Sequence, residues 1–307
     1  MRQSEAPAVS VVIPMRNEGQ SVDELLSRLD AALAGVNGGF EVVAVDDGST
    51  DDTWARLRQN APARPWLRGI ALARPFGQHP ATFAGLRAAR GGVIVTMDAD
   101  LQVDPEDITL LVAKVAAGTD VAFGERAHAG EGFFREQFGG AIKRFFARRA
   151  VGAPPPGIST FLAARRELVE AALTFENGRP VTPYHLMLAG PRSANGVAVR
   201  ERPRPRGGSK YNLARFVRLG MDIFFGYSTV VEGTLLMLAG AVPAGTLVLW
   251  LISFLFSLAG GQWLSAFFVI AGIVYALAGL CALLLFVGEL ALRRGAASPL
   301  YVVRETF

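Results

Sequence analysis

"VTMDADLQVDPEDI", residues 95–108, is the stretch whose reading decides the fold. An apolar, β-forming run, "GGVIVTM" (91–97), breaks off at Asp98, and Asp100, Gln102 and Asp104 follow closely. Carboxylates this near one another repel, and at the end of a buried strand they also lose hydration. A hard divalent cation, Mg²⁺ or Mn²⁺, would relieve both costs, because it takes a few protein oxygens and shares its other positions with substrate phosphates. Asp-x-Asp alone is common on surfaces. Its place at the end of an apolar run is what makes this copy a candidate site.

Working outward, strands and helices alternate. "VSVVIP" (9–14), "FEVVAVD" (40–46), "LRGIALA" (67–73) and "GGVIVTMD" (91–98) read as strands, with helical periodicity over 21–34, 51–59, 79–90 and 105–117. Strands separated by helices of this length predict right-handed crossovers and a mostly parallel α/β sheet. Such sheets bind ligands beyond the carboxyl ends of their strands. Three of those ends carry polar clusters: "PMRNEG" (14–19), "DDGSTDDT" (46–53) and "DADLQ" (98–102). The competing reading of each is a capped helix start, with Ser49 or Asp51 as the cap. No GxGxxG follows a strand and no GxxxxGK[ST] occurs, which argues against dinucleotide and P-loop sites.

The chain of 307 residues is 51% hydrophobic with a mean hydropathy of +0.31. From Gly233 to Gly288 there is no charged residue, and residues 233–258 and 263–288 are each long enough to cross a hydrocarbon core. "AGGQ" (259–262) joins them as a tight turn. Arg215, Arg218, Arg293 and Arg294 flank the outer ends and the turn carries no basic residue, so both termini are expected in the cytoplasm. The alternative is a buried helix pair in a soluble core. The N-terminus shows no charged-then-apolar leader, so no cleaved signal is expected, and the lone Cys281 permits no intramolecular disulfide. A net charge of +4 is explained by basic residues near the membrane, where anionic headgroups attract them, and no nucleic-acid motif is present. The expected organisation is a cytoplasmic α/β domain (1–210), an interfacial amphipathic helix (211–228), a transmembrane hairpin (229–292) and a cytoplasmic tail (293–307). That makes the inner membrane the expected location.

"VVIPMRNEG", "VVAVDDGSTDDT" and "VTMDADLQVDPEDI" resemble the signature segments of the family 2 inverting glycosyltransferases, which have the A-type nucleotide-sugar fold. With "GER" (124–126), "FFRE" (133–136), "RGGSKYNLARFVRL" (206–219), the hairpin and "SPLYVVRE" (298–305), the chain is similar to polyprenyl-phosphate glycosyltransferases. "FGQH" (76–79) and "RFVRLGMDIFFGYST" (215–229) most resemble the undecaprenyl-phosphate 4-deoxy-4-formamido-L-arabinose transferases. The resemblance implies a nucleotide-sugar donor, a UDP-sugar favoured, and a polyprenyl phosphate acceptor. It implies that Pro14, Arg16, Glu18 and Asp47 hold the nucleoside, Asp47 through the base, and that Asp98, Asp100 and Gln102 bind Mg²⁺ or Mn²⁺ with the sugar diphosphate. Arg126, Arg135, Arg206, Ser209 and Lys210 would gather phosphates, including the acceptor's. Sugar identity stays open, as does assembly, a homo-oligomer such as a tetramer being among the options.

A phosphate acceptor is already anionic, so the reaction needs cations and in-line positioning more than a strong base. Arginine suits this, because its planar fork pairs two phosphate oxygens. The bland alternative for each arginine is a solvated face. Two departures from the family pattern stand out. Arg16 replaces a usual aromatic residue, although a guanidinium can still stack on a base. "PPPGISTFLAARRE" (154–167) offers Ser159 and Thr160 where many relatives have an aspartate near the sugar. "FFREQFGGAIKRFFARRAVG" (133–152) and "YNLARFVRLGMDIFF" (211–225) interleave Phe with Arg and read as interfacial helices, or else as helices on the domain core. His79, His128 and His185 lack ligand spacing, so none is assigned a metal role. A processive polysaccharide synthase would have more spans and a QxxRW-like segment. A catalytically inactive membrane scaffold would not need "DADLQ".

Overall fold

The computed structural model describes residues 6–126, 158–175, 182–200, 230–295 and 299–307. It divides into two compact units, Met1–Gly226 with Ser298–Phe307, and Tyr227–Ala297. The first is the α/β unit. Four expected strands form at its centre, β1 (Val9–Met15), β2 (Phe40–Asp46), β3 (Leu67–Leu72) and β4 (Val93–Thr96). Between and after them run α1 (Val22–Leu33), α2 (Thr53–Asn60), α3 (Gln78–Ala88) and α4 (Ile108–Ala116). Then come β5 (Val121–Arg126), β6 (Leu162–Arg165), α5 (Arg166–Leu173), α6 (Thr182–Leu188) and β7 (Ala194–Val199).

The sheet order is β7-β5-β6-β4-β1-β2-β3, with one further strand, β8 (Val303–Thr306), beyond β3. β4, β1, β2 and β3 are mutually parallel. β6 lies antiparallel to both β4 and β5, so β5 and its parallel neighbour β7 again point the same way as β4. Chain order reverses between β1 and β4, and the crevice at such a switch point is where ligands bind in open α/β sheets.

Apolar residues cover both faces, which is why the central strands read as continuous runs rather than alternating ones. Val11, Ile13, Val42, Ala44 and Val95 pack with Leu25, Leu26 and Leu29 of α1 and Leu111 of α4 on one side. Val12, Val43, Val45 and Ile94 pack with Ala81, Phe83 and Ala84 of α3 on the other.

At the sheet edge opposite the strands' carboxyl ends, Glu41 is buried at 2% exposure. It accepts hydrogen bonds from Ser10 Oγ (2.7 Å), Arg90 N (2.6 Å), Arg90 Nε (2.9 Å) and Arg68 Nη1 (3.0 Å). Burial alone would raise its pKa, but these donors outweigh burial and hold the carboxyl below the ordinary glutamate range. The stability it contributes is therefore present above the unfolded-state pKa and lost as pH falls through the lowered folded value. Glu41→Gln keeps one acceptor and is expected to cost about 2–3 kcal/mol. The check is the thermal midpoint of the detergent-solubilised protein, which should fall most at neutral pH and least in acid.

The second unit is a pair of long helices, α7 (Val230–Leu258) and α8 (Gln262–Gly295). Gly240–Leu258 and Gln262–Gly288 are long and apolar enough to cross a membrane, and only 11% and 6% of them is buried. Glycines let the two helices approach closely: Gly245 faces the Tyr275 ring, Gly272 faces Trp250 and Gly279 faces Val242. The tight turn falls at Ala259–Gly261, where Gly261 N donates to Phe256 O at 2.9 Å.

The expected tail, 293–307, proves to be divided. α8 runs on to Gly295, and Val303–Thr306 adds to the α/β sheet as antiparallel β8. Gly69 and Phe307 exchange main-chain hydrogen bonds at 3.1 Å each. Glu305 accepts from Trp54 Nε1 at 3.0 Å and pairs with Arg58 at 3.1 Å. The expected interfacial stretches 133–152 and 211–228 lie outside the described residues.

Candidate active site

The carboxyl ends of β1, β2 and β4 lie on one edge of the sheet, and each bears the polar segment singled out in the sequence. The loops after β1 and β2 are laced together. Asn17, held at φ +56°, donates its N–H to Ser49 Oγ at 2.9 Å, and its Oδ1 accepts from Thr50 N at 2.9 Å. Glu18 N donates to Thr53 Oγ1 at 2.9 Å, and Gly19 N to Asp51 Oδ2 at 3.0 Å. Asp51 also accepts from Thr53 N at 3.1 Å, but the residue at the cap position of α2 is Asp52, which makes no side-chain capping hydrogen bond, so the expected cap at Ser49 or Asp51 is not what these side chains form. Part of the polarity in these loops therefore serves to fix their shape. Pro14 is part-buried at the end of β1, and Arg16 is exposed just beyond it.

Asp46 ends β2 and Asp47 follows it, and both are buried, at 1% and 2% exposure. Successive side chains at a strand end point in opposite directions, and these two have different surroundings. Asp47 accepts from Phe76 N at 2.6 Å and Gly77 N at 2.9 Å, one on each carboxylate oxygen. Burial pushes its carboxyl above the ordinary value, against those two N–H groups and the Arg16 charge; the neighbouring Asp46 adds to the rise. Asp46 accepts from Ser49 N at 3.2 Å through Oδ1, while its buried Oδ2 has no hydrogen-bond partner. A buried carboxylate oxygen left unpaired is costly. It fits a site that a donor N–H completes. Sequence reasoning put weight on Asp47 and passed over Asp46, since nothing in "DDGS" distinguishes the two.

Asp98 follows β4 and is held from two sides. Gln78 Nε2 donates to Oδ1 at 2.6 Å, and Thr160 Oγ1 to Oδ2 at 3.1 Å. Leu101 sits at φ +58°, and within that turn Asp100 Oδ1 accepts from Gln102 N at 3.2 Å. Asp98, Asp100 and Gln102 are all partly exposed at the same edge. Further along the loop, buried Asp104 pairs with Arg28 of α1 at 2.6 Å. Arg200, just past β7, grips Asp107 through Nε at 3.0 Å and Nη2 at 2.9 Å. The acidic turn is thus tied to elements on both sides of it.

Arg126 ends β5, opposite Val199, at the same edge as Asp98. Arg135, Arg206, Ser209 and Lys210 lie outside the described residues. Ser159, a candidate for the sugar, instead keeps its hydroxyl inside the β5–β6 pair, 2.9 Å from Gly124 O and 2.8 Å from Phe161 O. His79 Nδ1 lies 3.4 Å from Thr182 Oγ1, near the starts of α3 and α6. His185 is buried between Phe83 and Phe175, and burial lowers its pKa. Among the described residues no group of three or more His, Cys, Asp or Glu converges as a ready-made metal cage.

Comparison with known proteins places this arrangement. Residues 10–172 match the family model described as glycosyl transferase family 2. The chain is 34% identical over 290 residues to an undecaprenyl-phosphate 4-deoxy-4-formamido-L-arabinose transferase of Pseudomonas savastanoi pv. phaseolicola, covering 86% of this chain and 85% of that one. It is 34% identical over 262 residues to the enzyme of the same name from Klebsiella pneumoniae, covering 83% and 78%. Among solved structures it is similar to glucosyl-3-phosphoglycerate synthase from Mycobacterium tuberculosis, with a TM-score of 0.53 and 19% identity over 72% of this chain and 78% of that one. That likeness shows the fold, an α/β domain of the A type. The laced loops and the acidic turn at the switch point are therefore those of a glycosyltransferase, and the chain belongs to glycosyl transferase family 2.

Proposed function

We propose that this glycosyltransferase moves one sugar, with inversion, from a nucleotide sugar to a polyprenyl phosphate of the undecaprenyl type at the cytoplasmic face of the inner membrane. The observation that carries the reading is the meeting of the Asp46–Asp47 pair and the Asp98–Asp100–Gln102 turn at one sheet edge, in a chain that continues into two long apolar helices. The named relatives act on undecaprenyl phosphate, which supports the acceptor class.

In this reading Pro14, Arg16, Glu18 and the Asp46–Asp47 pair hold the nucleoside. Asp46 Oδ2 is an acceptor in want of a donor, which the ring N–H of uracil in a UDP-sugar would supply. Asp98, Asp100 and Gln102 present only hard oxygens, two carboxylates and an amide, which fits Mg²⁺ or Mn²⁺ with diphosphate oxygens as the remaining ligands. Such an ion, when bound, neutralises charge on the departing diphosphate. Arg126, Arg135, Arg206, Ser209 and Lys210 hold the acceptor phosphate in line with the sugar carbon, so displacement inverts it. The acceptor oxygen arrives ionised, and no side chain has to remove a proton from it.

The apolar helices cross the bilayer as a hairpin. The pairing of β8 with β3 supports an even number of crossings, because the chain that leaves the α/β unit also rejoins its sheet. Reporter fusions at Met1 and Phe307 are expected to report cytoplasm, and a reporter inserted near Gly261 the opposite side. A periplasmic signal from Phe307 would mean that one apolar helix does not span. The function itself is tested by incubating purified protein with undecaprenyl phosphate and a panel of UDP- and GDP-sugars. A lipid-linked monosaccharide of inverted anomeric configuration is expected from at least one donor. Release of free sugar alone, or a polymer, would defeat the proposal.

A further inference from the structure

Between the two carboxylate pairs runs the β3–α3 loop, residues 73–77. It is fixed at three points. Asp47 accepts both consecutive N–H groups of Phe76 and Gly77. Gly48, at φ +61°, lies so close that an added Cβ would stand 2.7 Å from Arg74 C and Pro75 N, so the β2 turn is moulded against the loop. Gly77 takes φ +108° and ψ 162°, a conformation that other residues rarely adopt, and from it α3 starts. α3 itself is buried against β1 and β2 through Ala81 and Phe83 and is not free to shift. Gln78, the first residue of α3, is therefore held at a set height, and its amide donates to Asp98 Oδ1 at 2.6 Å.

We propose that Gln78 is a positioning residue for Asp98 and that Asp47, by clamping the loop that carries Gln78, fixes the nucleoside end of the site relative to the metal end. The proposal rests on the metal reading given above. Thr160 is the counterpart of Gln78 on the other carboxylate oxygen, at 3.1 Å. An aspartate at the end of a strand has two free side-chain torsions, and its carboxylate must point one way for an ion to use it. Two donors from separate elements remove that freedom before the ion arrives. Groups that orient a metal ligand in this way commonly change metal affinity or activity by roughly 10- to 100-fold when removed.

The test uses the full-length protein in detergent with UDP and Mn²⁺ as probes. Mn²⁺ binding to the UDP-loaded protein is followed by the electron paramagnetic resonance of the free ion, and UDP binding without metal by calorimetry. Gln78→Leu, which keeps size but not the donor, is expected to weaken Mn²⁺ binding about 10-fold while UDP affinity without metal changes by less than about twofold. Gly77→Ala should reproduce the Mn²⁺ loss without touching any ligand. The double variant should be scarcely worse than the weaker-binding single one, since both act through the same contact. If Gln78→Leu binds Mn²⁺ as tightly as the unaltered protein, the inference is wrong. If it loses UDP and Mn²⁺ affinity together, Gln78 serves folding and the inference is again wrong. Unaltered protein that binds no Mn²⁺ beside UDP would overturn the metal reading itself, and this inference with it.

Discussion

Replacing Asp100 by Ala is expected to lower turnover on the order of 100-fold or more, because several kcal/mol of charge stabilisation is lost at about 1.4 kcal/mol per tenfold. Asp100 is only partly buried, and it accepts a local hydrogen bond from Gln102 N at 3.2 Å; the thermal midpoint of the Asp100→Ala protein, measured beside its turnover, separates a loss of activity from a loss of fold. Asp98 is a poorer choice for this test. Its removal would also strand the amide of Gln78 and the hydroxyl of Thr160. Steady-state rates of the Asp100→Ala protein across a Mg²⁺ or Mn²⁺ titration give the measurement, beside the unaltered protein treated with EDTA. Full activity after EDTA would show that no metal is used, and the acidic turn would then need another explanation.

Much of the central sheet was legible in the sequence because buried parallel strands write themselves as uninterrupted Val and Ile runs. "VSVVIP" and "FEVVAVD" became β1 and β2 within a residue of the expected bounds. The outer strands were harder to read. β6 is "LAAR" and β7 is "ANGVAV", short and alanine-rich, and their strand character comes from pairing with β4 and β5 rather than from propensity. β8 was visible only as part of a resembling tail, because its pairing with β3 joins residues more than two hundred positions apart. The site divides in the same way. Asp98, Asp100 and Gln102 were marked by their place after an apolar run. The division of labour between Asp46 and Asp47 was not, since it depends on which side chain meets the loop at Phe76 and Gly77. Nor could Gln78 be found from sequence, because its partner Asp98 belongs to another strand end.

Changing Lys210 or Arg206 to Ala is expected to lower catalytic efficiency for the lipid phosphate about 10- to 100-fold, each charge-assisted phosphate contact being worth roughly 1.5–3 kcal/mol. Both residues lie outside the described residues, and the expectation rests on sequence and chemistry. Arg200, just past β7 at the sheet edge that carries Asp98, grips Asp107. From there the sequence runs through Arg206 and Lys210 into a Phe- and Arg-rich stretch and then into the apolar helices. A carrier phosphate is confined to the headgroup layer, and cations in the sequence next to the apolar helices suit its charge. A phosphate acceptor needs such cations, whereas a neutral hydroxyl would need a base. Among the described residues His79 faces Thr182, and His185 is buried between phenylalanines, so neither stands ready as one. Nucleotide affinity, by contrast, is assigned to the β1 and β2 loops and the acidic turn, and should change little. Calorimetry of nucleotide binding beside kinetics in the acceptor separates the two. If the Lys210→Ala and Arg206→Ala proteins lose nucleotide affinity yet use the lipid phosphate normally, these cations belong to the donor, and another part of the chain must gather the acceptor.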